Sequence, residues 1–82
     1  MIGLDRIKKY IVDGEFRLIF FSDQVYIVNF DKILELNGSN ITIRSNNEIF
    51  SINGKNLSLR RLLEREVLIS GRIKSIEVFY DE

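Results

Sequence analysis

Apolar and polar positions alternate along this chain with a period near two, in short bursts. Ile41 and Ile43 fall on one side of a strand, Thr42 and Arg44 on the other. Leu57 and Leu59 against Ser58 and Arg60 repeat the pattern. Turn signals separate the bursts: Asp13-Gly14, Ser22-Asp23, Asn37-Gly38, Asn46-Asn47, Asn53-Gly54 and Ser70-Gly71. Asn-Gly and Asn-Asn accept the positive φ that tight hairpin turns require. The spacing predicts short strands over 16–21, 25–30, 33–36, 41–44, 48–52, 57–59, 67–69 and 73–79.

Two runs are apolar on both faces, Leu18-Ile19-Phe20-Phe21 and Val25-Tyr26-Ile27-Val28. A strand of that kind is central, or another element or subunit covers it. Free strand edges pair readily with another chain, so self-association or a protein partner is expected. Residues 1–12 read differently. Leu4, Ile7 and Ile11 stand at helical spacing with Lys8 and Lys9 opposite, which predicts a short amphipathic helix, with a further strand as the alternative. Residues 13–82 form the β domain. Within it, Asn37-Gly38-Ser39-Asn40-Ile41-Thr42-Ile43-Arg44 is echoed 16 residues later by Asn53-Gly54-Lys55-Asn56-Leu57-Ser58-Leu59-Arg60. A repeated hairpin gives such a beat, and so does a rung of a β-solenoid. The preferred fold is mainly β: one small domain, an antiparallel meander of about eight short strands curled into a sandwich or open barrel. A short β-solenoid is the alternative.

Composition strengthens the β reading. The 82 residues suffice for one small core. They include no Ala, the strongest helix former, but thirteen Ile, six Phe and five Val. No Pro, Cys, His or Trp is present. Without Cys or His, the usual zinc sites, cysteine nucleophiles and Ser-His-Asp triads are excluded, and no disulfide suggests secretion. No apolar run approaches the ~20 residues of a membrane-spanning helix. Asp5, Arg6, Lys8 and Lys9 interrupt any signal-peptide stretch.

Charge adds one local feature. Twelve basic and twelve acidic residues balance overall, but residues 55–74 carry six basic and two acidic groups. Arg60, Arg61, Arg65, Arg72 and Lys74 form the candidate interaction patch. No aromatic residue interleaves with them as a base-stacking platform would, so the expected reading is a solvated strand face. Glu64 and Glu66 flank Arg65 and read as solvated charges at a strand edge. All five glycines are isolated and build no phosphate loop. Gly38, Gly54 and Gly71 read as structural turn residues. The sequons at Asn40 and Asn56 read as chance. No catalytic residue, metal or cofactor is expected.

The pattern Ile49-x-x-Ile52-x-Gly54-x-x-Leu57-x-Leu59, then Leu62-Leu63-x-x-Glu66-Val67-Leu68-Ile69-x-Gly71-x-Ile73-x-x-Ile76, resembles the YabP/YqfC family of sporulation proteins. Val25-Tyr26-Ile27-Val28-Asn29-Phe30, Ile33-Leu34 and Ile41-Thr42-Ile43 fit its middle strands, closer to the YqfC branch. The likeness covers residues 16–79. Val28-Asn29 stands where the family usually has an acidic-Asn pair. The resemblance implies a non-enzymatic protein of the mother cell of an endospore-forming bacterium. It implies a role in assembling the spore coat or cortex, near the forespore outer membrane, and a membrane-embedded sporulation protein as partner. A second expectation is a nucleic-acid-binding small β-barrel, because residues 67–76 resemble the second Sm-type motif. A polymerising solenoid scaffold is a third.

Overall fold

The computed structural model describes residues 2–3, 9–13, 16–21 and 23–80. Its strands are β1 (Ile2–Gly3), β2 (Lys9–Asp13), β3 (Phe16–Phe21), β4 (Gln24–Val28), β5 (Lys32–Leu36), β6 (Asn40–Ser45), β7 (Glu48–Leu63) and β8 (Glu66–Tyr80). They pair antiparallel in one sheet, in the order β2-β3-β4-β8-β7-β6-β5, with β1 beside β8. Among the described residues β2 and β5 share no ladder, so the sheet is open. The chain makes two meanders, β2-β3-β4 and β5-β6-β7-β8, joined where β8 pairs with β4.

The long hairpin β7-β8 shapes the molecule. A straight strand of 16 residues would run about 53 Å. The longest dimension of the protein is 28 Å. β7 therefore folds back on itself, and one side chain records this. Asp31 Oδ2 accepts from the Asn46 backbone N–H at 2.7 Å, just before β7 begins. Asp31 Oδ1 accepts from Arg65 Nη2 at 3.1 Å, just after β7 ends. The first half of β7 lies between β6 and β8, while residues 58–63 continue beside the part of β8 that pairs with β4.

Three register shifts produce the bend, at Asn53/Gly54, Lys55/Ser58 and Leu59/Arg61. An extra residue on one strand of a ladder bends that strand and increases its twist. Both strands have a glycine there. A Cβ on Gly54 would overlap the Arg72 carbonyl oxygen. Gly71 has φ +137°, and a Cβ on it would lie 2.7 Å from the Asn56 oxygen. Asn56 itself takes φ 54°.

Folding the sheet at this bend sets its two halves face to face. Phe16 of β3 stacks on Phe50 of β7 with centroids 4.6 Å apart and planes 19° from parallel. The core between the halves is apolar, with Ser45 as the one buried polar residue among those described. Leu18 and Phe20 from β3, Val25 and Ile27 from β4, and Val67 and Ile69 from β8 form one wall. Ile41, Ile43, Ile52 and Ile76 join Phe50 on the other. Each such side chain contributes ~1.5–3 kcal/mol by leaving water.

Several expectations change. Residues 48–52 and 57–59 belong to one strand, as do 67–69 and 73–79. Gly54 and Gly71 are therefore not hairpin-turn residues but the points where continuous strands bend; Gly38 does lie in the β5–β6 loop. The alternation pattern could not separate a bulge from a turn, because both favour Gly and Asn. In the segment expected to be helical, residues 2–3 and 9–13 are strands paired with β8 and β3; residues 4–8 lie outside the described residues. Backbone pairing to a sheet outweighed a three-residue apolar spacing. The solenoid is replaced by antiparallel ladders, and the 16-residue echo has another basis. Its two copies touch, with Gly54 N–H donating to Ser39 O at 3.0 Å and Leu57 N–H to Gly38 O at 2.9 Å.

Candidate interaction surface

Residues paired across an antiparallel ladder project from the same face. On the outer face of the β3-β4-β8-β7 half, this makes three rows. Ile19, Tyr26, Leu68 and Arg61 form the central one. Arg17, Val28, Glu66 and Leu63 lie on one side of it, and Phe21, Gln24, Ser70 and Ser58 on the other. Ile19, Tyr26, Val28 and Leu68 are half-buried, while Phe21 and Leu63 are exposed. The apolar runs that showed no alternation thus have one face in the core and the other turned outward.

Glu66 is not a simple solvated charge. Its Oε1 accepts a hydrogen bond from the Tyr26 hydroxyl at 2.5 Å across the β4-β8 ladder. That bond and partial desolvation hold the Tyr26 phenol above its usual pKa near 10, with the nearby Arg61 pulling the other way. The hydrogen bond fixes a polar anchor among Ile19, Val28 and Leu68.

The outer edge of this half is the end of β7. Among the described residues, no strand pairs with the second edge of residues 58–63. Leu62 and Leu63 are 54% and 53% exposed there, beside exposed Arg60 and Arg61. An unpaired edge with apolar side chains offers backbone donors and acceptors to an added strand.

The bend divides the predicted basic patch. Arg60 and Arg61 lie near the end of β7, and Arg65 in the β7–β8 turn is paired with Asp31. Arg72 lies on β8 beyond Gly71, opposite Lys55. Lys74 sits in the bulge facing Asn53 and Gly54. Lys55, Tyr26 and Asp31 were not singled out from sequence, because their roles depend on pairings far along the chain.

The opposite outer face is polar at its centre, with Ile49 and exposed Phe79 toward one end. Asn40 Nδ2 donates to Ser51 Oγ at 2.7 Å and to Asn53 Oδ1 at 2.8 Å. Thr42 Oγ1 donates to Asn40 Oδ1 at 2.6 Å, and Asn53 Nδ2 to Glu77 Oε1 at 3.1 Å. These amides and hydroxyls satisfy one another, so the two outer faces differ in chemistry. Asn40, the first sequon residue, is part of this network.

No helix among the described residues is long and apolar enough to cross a membrane. No family model matches the chain, no curated protein is significantly similar to it, and no solved structure matches it.

Proposed function

We propose that this chain is a non-enzymatic interaction module of the YabP/YqfC type. It acts in assembly of the spore coat or cortex, in the mother cell, peripherally at the forespore outer membrane. It works as a homo-oligomer that also binds a membrane-embedded sporulation protein. One observation supports an interaction role above others: an outward face with Ile19, Tyr26, Val28 and Leu68 at its centre meets, at Arg61 and exposed Leu63, the bare edge of residues 58–63. A strand added at that edge would extend the sheet and its apolar face together. Arg60 and Arg61 favour acidic residues on the added strand. The sporulation context rests on the sequence resemblance. Two of its marker residues, Gly54 and Gly71, serve the bend, and Glu66 anchors Tyr26.

The test joins cell biology to the surface. Deleting the gene in an endospore former should stop envelope assembly after engulfment, with expression confined to the mother cell. A chromosomal Leu68→Glu variant should reproduce the defect while the purified domain keeps its melting temperature. Sporulation unaffected by deletion would overturn the sporulation role. A full defect on deletion with a silent Leu68→Glu would overturn the assigned surface. Salt-dependent RNA binding by the purified domain would favour the nucleic-acid reading instead.

A further inference from the structure

The bend that shapes the hairpin also opens a shallow cleft of about 340 Å³, lined by Asp23, Lys55, Asn56, Gly71 and Arg72. This volume lies at the lower end of small-molecule sites, which begin near ~300 Å³. Its charge arrangement is unusual. Lys55 and Arg72 are direct partners across the β7-β8 ladder. Like charges in that position repel. Neither makes an ion pair among the described residues, although Asp23 is on the same wall. Gly71 lets the two strands approach closely at the cleft, because a Cβ there would crowd the Asn56–Leu57 backbone. Asp23 is held in place from its backbone, its carbonyl accepting from Gly71 N–H at 3.1 Å. That leaves its carboxylate available to a ligand.

We propose that this cleft binds a phosphate monoester that carries a hydroxyl group. Lys55 and Arg72 hold the phosphate from the two strands, and the dianion relieves their mutual repulsion. Arg72 supplies a planar fork of donors and Lys55 a mobile point charge. The Asp23 carboxylate accepts a hydrogen bond from the hydroxyl and disfavours a bare anion. The site is separate from the apolar face and edge and does not depend on them.

Isotope-labelled full chain titrated with glycerol 3-phosphate and with inorganic phosphate, followed by amide shifts, tests the site. Saturable shifts centred on Lys55, Asn56, Gly71 and Arg72 are expected, with glycerol 3-phosphate the tighter ligand. Lys55→Gln and Arg72→Gln, both at exposed positions, should each weaken binding roughly tenfold, as loss of one charge-assisted bond does, without moving the melting temperature. Asp23→Asn should tighten inorganic phosphate and abolish the preference for glycerol 3-phosphate. Vesicles containing lysophosphatidic acid, a phosphate monoester that keeps a free hydroxyl, separate the two sources of such a group. Cosedimentation lost in Arg72→Gln identifies a lipid headgroup, and binding of the soluble ester alone identifies a metabolite. Unsaturable shifts spread over Arg60, Arg61 and Lys74, or binding indifferent to Lys55 and Arg72, would overturn the proposal.

Discussion

Gly71 is the residue at which this fold tolerates least change. Its φ of +137° is one that L side chains rarely adopt, and the Asn56–Leu57 backbone fills the space a Cβ would need. Gly71→Ala should lower stability by about 2–3 kcal/mol in denaturant unfolding. Gly38→Ala is the control. Nothing lies within 4 Å of a Cβ there, so stability should change by less than about 1 kcal/mol. Equal effects at the two sites would refute the close approach at the bend. Tyr26 makes a second prediction at this scale. Its phenol is raised above 10 mainly by donating to Glu66. From pH about 10 upward, the unfolded chain loses this proton while the folded chain keeps it. Stability from this group is thus complete below pH about 10 and declines as pH rises through the folded value. Tyr26→Phe should remove a phenol that titrates above 10 from an ultraviolet titration and flatten that decline.

At the scale of elements, Asp31 closes the fold of β7 by bonding at both its ends. Asp31→Ala should cost ~1 kcal/mol or slightly more, because the Arg65 pair is solvent-exposed and the Asn46 N–H loses an ionised acceptor. Phe50→Ala should cost ~3–5 kcal/mol, since it removes a fully buried ring and its stack on Phe16. Urea midpoints of the two variants should differ accordingly. The strand content was legible, because Ile41/Ile43 and Thr42/Arg44 alternate without interruption. The Asn46-Asn47 hairpin was legible too, with Asn46 at φ 55°. The continuity of β7 and β8 was not. Asn53-Gly54 and Ser70-Gly71 have the composition of turns, and only the partner strand makes them bulges. The outward face was half legible: Leu18 to Phe21 showed that a second face needed cover, but not which residues it shared a row with. The cleft was illegible, since Lys55 and Arg72 are 17 positions apart.

At the scale of the whole molecule, the two outer faces separate two kinds of contact. One centres on a self-satisfied network of Asn, Ser and Thr, the other on Tyr26 with apolar Ile19, Val28 and Leu68 around it. Sedimentation of the purified chain should show association that Leu68→Glu abolishes. Thr42→Glu, on the polar face, should leave the mass unchanged.

The doubled-over hairpin has a further consequence. Because β7 and β8 each run through both halves of the sheet, neither half owns a complete set of strands. Separating the halves would require melting the two longest strands, so there is no seam along which one layer can open while the other stays intact. Native-state amide exchange should therefore give one shared opening energy for the buried strands of both layers. Any adaptation of this protein to a partner is left to its rim and its outward side chains, over a frame that opens as one piece.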